Sequence, residues 1–320
     1  MNFAGIKKAL VAGLAVVAMT AVLTGCGGDT AEKKFLNIGT GGTAGTYYPI
    51  GGAMAEILNK DIPGMNASAQ STGASVANIN MLKDGSVDLA IVQNDITYYA
   101  ANGVEMFKDK KVEGLKGIAT LYPETCQAVT LDSSGIKSIA DLKGKKVAVG
   151  AAGSGVEANA RQIMEAYGIT YNDIQVQYLS FAEAASALKD GNIDVAFLTA
   201  GYPTSAVQDI ASQHKVRLLP VTADKAEALI AKYPFYTKTV IPAGTYAGFD
   251  EDVPAVSVMA MLVANDKVDD KLGYALTKAL FANLDRLHAA HAAAKAIVKE
   301  KAMEGMPLPL NAGAEKFFKE

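Results

Sequence analysis

The sequence predicts an α/β fold made of two similar lobes, each built around a mainly parallel sheet. A ten-residue stretch at 82–91 (LKDGSVDLAI) recurs 106 residues later at 188–197 (LKDGNIDVAF), with six identities. Upstream of each copy stand a short strand, a glycine-containing loop and a helix, so each half of the chain follows the order β–loop–α–β–α–β. The length of 320 residues also fits two domains of about 150 residues each.

The first lobe begins with a strand at 35–38 that enters the loop 39–46 (GTGGTAGT). A helix is expected from Tyr47 to about residue 60, because apolar residues recur there at helical spacing. A second strand at 66–70 and a second helix at 74–82 complete the unit before the repeated stretch.

The second lobe repeats this order. A strand at 146–149 enters the loop 150–155 (GAAGSG), and a helix follows at 156–167. A further strand at 174–179 and a helix at 181–188 precede the second copy of the repeated stretch.

Two extended segments, at 118–131 and 255–264, are expected to join the lobes as a hinge of two crossover strands. An amphipathic pattern predicts one long helix over 271–303. The predicted division of the chain is signal peptide 1–25, tether 26–34, first part of lobe 1 at 35–122, lobe 2 at 123–254, and return crossover with the C-terminal helices of lobe 1 at 255–320.

The N-terminus has the pattern of an export signal. Two lysines precede an apolar run at 9–22, which is shorter than the roughly 20 residues of a membrane span. The run ends in LTGC at 23–26, which resembles a bacterial lipobox, so we expect lipidation of Cys26. These features predict an exported, extracytoplasmic protein that is lipid-anchored to the bacterial membrane. An uncleaved N-terminal anchor is the alternative.

Composition excludes several classes of function. Lys and Arg number 30 against 33 Asp and Glu, so a nucleic-acid partner is not expected. The loops at 39–44 and 153–158 match the dinucleotide pattern GxGxxG/A, but neither following strand ends in the acidic residue that this pattern requires. His288 and His291 lack a third metal ligand in sequence. We therefore expect no enzyme, no catalytic residue, no cofactor and no metal.

The loops that follow the predicted strands form the candidate site. In open α/β sheets, ligands bind beyond the carboxyl ends of the strands. These loops are rich in Gly, Ser and Thr, and two of them precede helices whose free N–H groups attract anions. Only three arginines occur in the chain, and none follows a predicted strand. We therefore expect a carboxylate to be held by backbone N–H groups and hydroxyls. The loops selected are 40–48, 71–75, 93–97, 151–155, 180 and 199–203.

Several motifs resemble the TAXI family, the extracytoplasmic solute receptors of tripartite ATP-independent periplasmic (TRAP) transporters. They include GTGGTAGTYYPIGG at 39–52, STGASVAN at 71–78, AGSG at 152–155, FLTAGYPT at 197–204 and NAGA at 311–314. The resemblance covers about residues 35–318. It implies a two-lobed type II periplasmic-binding-protein fold and a monomer that delivers a solute to TRAP membrane subunits. The implied ligand is a small carboxylate, either glutamate- or glutamine-like or a 2-oxo dicarboxylate.

The resemblance also implies a set of ligand-binding residues. If the ligand is an amino acid, Asp95 or Glu124 is expected to face its ammonium group. Val156 departs from the pattern, since Thr is common there. The alternatives to a solute receptor are an exported hydrolase and a surface adhesin or immunogen without a small ligand. The implied ligand-binding residues are Thr40, Gly42, Thr43, Tyr47, Tyr48, Ser71, Thr72, Ala74, Ser75, Gln93, Asp95, Tyr122, Glu124, Ala152, Gly153, Ser154, Gly155, Thr199, Ala200 and Gly201.

Overall fold

Strands and helices alternate along residues 34–320, the part of the chain that the computed structural model describes. The predicted signal peptide, almost all of the tether and the predicted lipidation site Cys26 lie outside the described residues. Within 34–320, none of the helices has the length and apolar character that a membrane span requires.

Within residues 34–320, ten strands form one mixed sheet. They are β1 (Lys34–Gly39), β2 (Met65–Gln70), β3 (Leu89–Gln93), β4 (Lys116–Leu131), β5 (Lys146–Ala148), β6 (Gln175–Gln177), β7 (Val195–Ala200), β8 (Val216–Leu219), β9 (Thr237–Ile241) and β10 (Val253–Ala264).

In the described part of the chain, ten α-helices pack on this sheet or against one another. They are α1 (Tyr47–Asp61), α2 (Ser75–Asp84), α3 (Asn94–Asn102), α4 (Gly155–Ala166), α5 (Phe181–Lys189), α6 (Ser205–Ala211), α7 (Ala223–Lys232), α8 (Asp270–Ala282), α9 (Leu284–Ala290) and α10 (Ala312–Lys319).

The main path of the sheet has the strand order β2-β1-β3-β10-β4-β7-β5-β6, with β8 paired to β4 and β9 paired to β10. β1 is parallel to β2 and β3, and β5 is parallel to β6 and β7. Each predicted repeat therefore supplies one parallel group, which confirms the predicted α/β class. We call residues 34–115 the first half and residues 132–252 the second half.

The two long strands β4 and β10 run between the halves, as the extended segments predict. They pair with each other in antiparallel fashion. β10 pairs with β3 through 260–264 and β4 pairs with β7 through 125–130. The register between β10 and β4 shifts between Met259 and Met261, a position at which a β-bulge bends a strand pair. The boundaries after residues 122 and 254 stay predictions.

The repeated motif performs the same structural task in both halves. Gly85 and Gly191 have φ of 76° and 72°, the left-handed conformation that ends a helix and favours glycine. The aspartate three residues later then reaches the neighbouring strand. Asp88 Oδ2 accepts the N–H of Asn37 at 2.8 Å, and Asp194 Oδ2 accepts the N–H of Lys146 at 2.7 Å. The motif thus ends a helix and fixes the next strand beside the first.

The predicted single helix over 271–303 is wrong. α8 ends at Ala282, and Asn283 has φ −124° and ψ 36°, outside the helical region. The Asn283 amide donates to the Ala279 carbonyl at 2.8 Å and to Asp61 at 2.6 Å. Asparagine bonds locally to backbone and so favours helix ends over helix interiors. Between the end of α9 and residue 303 the chain forms only short 3₁₀ turns.

Asn311 holds the last helix in place, which leads to a stability prediction. Its Oδ1 accepts the N–H groups of Gly313 and Ala314, and its Nδ2 donates to the Val268 carbonyl at 2.9 Å. Asn311→Ala is expected to lower the free energy of unfolding by about 1–2 kcal/mol, because a helix cap and a buried partner are lost together. Urea unfolding measures this. Asn311→Asp keeps the cap and is expected to lose less; equal losses would contradict the capping role.

Candidate functional site

A cavity lies between the two halves, beside the central strands. Its empty volume is about 580 Å³, including the solvent at its open side. The wall is mainly glycine, hydroxyl-bearing and small apolar residues. The lining residues are Gly41, Gly42, Gly45, Thr46, Tyr47, Thr72, Gly73, Ala74, Ser75, Gln93, Glu124, Ala151, Ser154, Gly155, Val156, Ser180, Phe181, Thr199 and Ala200.

Four helices begin at this cavity, two from each half. α1, α2, α4 and α5 have first residues Tyr47, Ser75, Gly155 and Phe181, and all four residues line it. The first turn of a helix carries N–H groups without intrahelical partners and the positive end of the dipole. α1 and α2 have neither a side-chain cap nor an acidic residue in their first turns. The cavity therefore favours a negatively charged group.

Among residues 34–320, no cationic side chain lines the cavity. The three arginines are paired elsewhere: Arg161 with Glu105 and Glu165, Arg217 with Asp132, and Arg286 with Glu56. An anion in this space would be held by N–H groups and hydroxyls rather than by a guanidinium. The geometry agrees with what the placement of arginine in the sequence predicts.

Glu124 is the one carboxylate that the described part of the chain contributes to the wall. The side chain is buried, and Oε1 has no hydrogen-bond partner within the described chain. Burial raises its pKa well above the usual value, and the nearby Tyr47 hydroxyl acts in the opposite direction. Tyr122, beside it on β4, is also buried and its hydroxyl likewise lacks a partner. The cavity thus contains a carboxyl whose burial favours its neutral form, beside hydrogen-bonding capacity left unused.

Direct hydrogen bonds join the two halves around the cavity. Thr46 Oγ1 donates to the Gly201 carbonyl at 3.0 Å, and the Ala77 N–H donates to the Gly153 carbonyl at 3.0 Å. These bonds hold the four helix N-termini around one space. The arrangement is therefore a closed one, in which groups of both halves can contact the same small molecule.

Thr46 offers a test of this closure. Thr46→Val keeps the shape of the side chain but removes the donor to Gly201. The affinity for a ligand that requires the closed arrangement is expected to fall about 2- to 10-fold, the effect of one lost hydrogen bond. Isothermal titration calorimetry measures it, with Thr46→Ser as the matched control that keeps the hydroxyl. Equal affinities for wild type and Thr46→Val would show that this bond does not contribute.

Eleven of the twenty predicted ligand-binding residues line the cavity. The structure brings together residues from five loops and from β4, although they are up to 158 positions apart in sequence. The eleven are Gly42, Tyr47, Thr72, Ala74, Ser75, Gln93, Glu124, Ser154, Gly155, Thr199 and Ala200.

The other nine lie outside the lining. Thr40 is fully buried and its hydroxyl donates to the Gln70 carbonyl at 2.6 Å, so it braces β1 against β2. Gly153 and Gly201 supply the carbonyls of the inter-half bonds just described. Ligand contact by these nine stays a prediction. They are Thr40, Thr43, Tyr48, Ser71, Asp95, Tyr122, Ala152, Gly153 and Gly201.

Eight residues that line the cavity were not among the twenty ligand-binding residues that the motif resemblance implies. Six of them fall in the loops that the strand-end rule selects, so that rule locates the wall more completely than the motif resemblance does. Val156 and Phe181 lie outside those loops and outside the twenty residues; the motif resemblance marks position 156 only as a departure from its usual Thr. Both lie in the first turn of a helix, and their exposure to the cavity depends on how α4 and α5 are oriented. The eight are Gly41, Gly45, Thr46, Gly73, Ala151, Val156, Ser180 and Phe181.

The remaining chemically active side chains are occupied in structural contacts. Within residues 34–320, no three His, Cys, Asp or Glu side chains group in a way that could hold a metal ion. His288 Nε2 lies 3.1 Å from the Ile297 carbonyl, and His291 Nδ1 accepts the Ala293 N–H. Cys126 is buried, and burial raises the pKa of its thiol to about 12, which makes it a poor nucleophile at neutral pH.

Solved structures share this architecture. The chain aligns with the alkanesulfonate-binding protein SsuA of Xanthomonas axonopodis pv. citri, bound to MOPS, at 18% identity and a TM-score of 0.52, covering 90% of this chain and 84% of that one. It aligns with PhnD1 of Prochlorococcus marinus (MIT 9301), in complex with methylphosphonate, at 12% identity and a TM-score of 0.57, covering 86% and 94%. The ligand-binding component of an ABC-type import system from Staphylococcus aureus, with zinc bound, aligns at 12% identity and a TM-score of 0.50, covering 81% and 78%.

Sequence comparison also finds relatives. A protein of Escherichia coli (strain K12) that is named for the binding of aliphatic sulfonates is 29% identical over 140 residues. That match spans 43% of this chain and less than half, 41%, of the relative. The profile of the NMT1-like family matches residues 38–320.

The fold and the cavity between two halves define the class: this is a type II periplasmic-binding-protein fold. Within that class, the chain belongs to the NMT1-like family.

Proposed function

We propose that this protein is an extracytoplasmic solute receptor that captures a small carboxylate between its two halves and delivers it to the membrane subunits of a transporter. The observation that carries the proposal is the convergence of four helix N-termini on one cavity that no Arg or Lys of the described residues lines. Backbone N–H groups and hydroxyls suit an anion of this size. The compared proteins bound to a sulfonate buffer and to methylphosphonate support an anionic ligand on the same fold.

The alternative of an enzyme receives no support from the cavity. Among the described residues, Glu124 is the one acid in the wall and no histidine joins it there; the nearby Asp95 lies outside the lining, with its carboxylate bonded to Asn159 and to the Ile96 N–H. General acid–base or nucleophilic catalysis needs such a partner within hydrogen-bond reach. The cavity therefore suits binding and release better than turnover.

A thermal-shift screen of carboxylates, amino acids, sulfonates and phosphonates tests the proposal. The protein is first unfolded and refolded to remove any carried-over ligand. A ligand that binds only the folded state stabilises it by RT ln(1 + [L]/Kd), so 100 Kd of ligand adds about 2.7 kcal/mol. Stabilisation by a carboxylate is the expected result. Stabilisation by sulfonates or phosphonates alone would reassign the ligand, and no response to any anion would contradict the proposal.

For the membrane partner we propose TRAP-type subunits, on the strength of the motifs at 39–52, 71–78 and 197–204. The ABC-type component compared above supports the shared fold only. Uptake in membrane vesicles that contain this receptor and its partner subunits is expected to follow an imposed ion gradient without ATP. Uptake that requires ATP would assign the receptor to an ABC-type importer instead.

A further inference from the structure

A chain of buried amides leads from Asp95 to the cavity wall. Gln93 Nε2 donates to Asn159 Oδ1 at 2.6 Å, and Asn159 Nδ2 donates to Asp95 Oδ2 at 2.9 Å. All three side chains are at most 1% exposed. Gln93 and Asp95 belong to the first half, whereas Asn159 lies on α4 of the second half. The chain of bonds therefore crosses from one half to the other and back.

The direction of these bonds is dictated by the carboxylate. An ionised Asp95 can only accept hydrogen bonds, so Asn159 must turn its NH₂ towards it. That NH₂ also donates to the Tyr236 hydroxyl at 2.8 Å, which in turn donates to Gln162 Oε1 at 2.7 Å. Asn159 is left with its carbonyl oxygen facing Gln93.

The last member of the chain faces the ligand space. Because the Gln93 NH₂ donates to Asn159, the Gln93 carbonyl oxygen Oε1 lies at the cavity wall, beside Ser75 and Gly155. Ser75 Oγ lies 3.4 Å from Oε1 and accepts the Gln93 N–H at 3.2 Å. The ionised form of Asp95 thus makes Gln93 present an acceptor at the wall.

We propose that Asp95 is a positioning residue for the cavity: acting through Asn159, it determines which end of the Gln93 amide faces the ligand, and this polarity reverses when Asp95 takes up a proton. A protonated carboxyl can donate to the Asn159 carbonyl. Asn159 then turns its NH₂ to Gln93, and the Tyr236 hydroxyl, which has lost that NH₂, turns from Gln162 to donate to the Asn159 carbonyl. Gln93 must in turn present its oxygen to Asn159 and its NH₂ to the cavity. The part of this inference that concerns ligands rests on the proposed function above.

The surroundings of Asp95 place this change at mildly acidic pH. Burial raises the pKa of Asp95 to about 6, although the hydrogen bonds from the Ile96 N–H and from Asn159 act to lower it. The titratable groups that face it are Tyr99 on α3, Glu124 and Cys126 on β4, and Tyr236 before β9. The pKa of each is raised by its own burial, which keeps the two tyrosines and the thiol neutral near pH 7 and favours the neutral form of Glu124.

Nuclear magnetic resonance of the ¹⁵N-labelled protein without ligand tests the relay. The Gln93 side-chain NH₂ signal, assigned by its absence in Gln93→Leu, is expected to titrate with a midpoint near pH 6. In Asp95→Asn the chemical shift of this signal should no longer depend on pH. At about pH 7.5 it should equal the shift that the wild type shows at acidic pH. The double variant Asp95→Asn/Asn159→Asp transfers the carboxylate from residue 95 to residue 159, which contacts Gln93 directly. Because a carboxylate only accepts hydrogen bonds, the Gln93 NH₂ must again face residue 159. It is expected to restore the alkaline wild-type signal at about pH 7.5.

A pair of ligand probes tests the effect on specificity. L-glutamate and 2-oxoglutarate differ at one carbon. This carbon bears an ammonium group, a hydrogen-bond donor, in L-glutamate and a carbonyl oxygen, an acceptor, in 2-oxoglutarate. At about pH 7.5, the ratio of their Kd values is expected to change about fivefold in Asp95→Asn in favour of 2-oxoglutarate, and to return in the double variant.

The outcomes separate the two proposals. A Gln93 signal that does not titrate, or that titrates equally in Asp95→Asn, would overturn the relay whatever the ligand. A titrating signal with an unchanged Kd ratio would overturn the role in specificity. If neither probe binds while the signal titrates as expected, the relay stands and capture of these carboxylates is contradicted.

Discussion

Gly155→Ala is expected to weaken ligand binding about 10- to 100-fold, the effect of 1–3 kcal/mol of overpacking. The Cβ atom that it introduces would overlap the Gln93 side-chain amide and lie 2.9 Å from Ile96 Cγ1. Gln93 cannot move aside freely, because its amide is bonded to Asn159 across the two halves. Either Gln93 leaves its place in the wall or α4 moves away from the first half. Both outcomes disturb the closed arrangement.

The measurement is the Kd of the carboxylate that gives the largest thermal shift, by isothermal titration calorimetry. Gly52→Ala is the matched control, because a Cβ there meets nothing within 4 Å and alanine favours a helix interior. The control is expected to bind as the wild type does. Undiminished binding by Gly155→Ala would show that the closed geometry seen here is not the one that holds the ligand.

The repeat unit could be predicted from sequence because its information is local. The LKDG stretch specifies a helix end, and the aspartate that follows specifies a bond to the neighbouring strand. The same is true of the cavity wall, since the rule that ligands lie beyond parallel strand ends needs only the strands. Six of the eight lining residues that the motif resemblance omits fall in loops which that rule selects.

Features that depend on distant parts of the chain could not be predicted in this way. Asp95 follows a strand, a position that predicts ligand contact, but no local pattern predicts that Asn159, 64 positions away, donates to its carboxylate. The break at Asn283 depends in part on Asp61, which lies 222 positions away. In both cases a polar side chain finds a partner that no local pattern reveals.

The second large effect that we expect is a pH dependence of the free energy of unfolding, caused by Glu124. Its pKa in the folded protein is raised well above the usual 4.5 by burial. Between these two pKa values, the folded protein retains a proton that the unfolded chain has lost, so stability falls as pH rises. Each pH unit in this window costs about 1.4 kcal/mol. Glu124→Gln removes the titration and keeps the shape of the side chain.

The expected result is that Glu124→Gln gains stability relative to the wild type as pH rises from about 5 to about 8, measured as the free energy of unfolding in urea at each pH. Glu183→Gln is the control. Glu183 is exposed and its pKa is lowered by the Ser180 hydroxyl, so it is ionised in both states throughout this range and its replacement should leave the pH dependence unchanged.

Parallel profiles for wild type and Glu124→Gln would mean that Glu124 ionises in the fold as easily as in the unfolded chain. The cavity would then present a negative charge, which would oppose an anionic ligand and require a cationic group on any solute placed beside it.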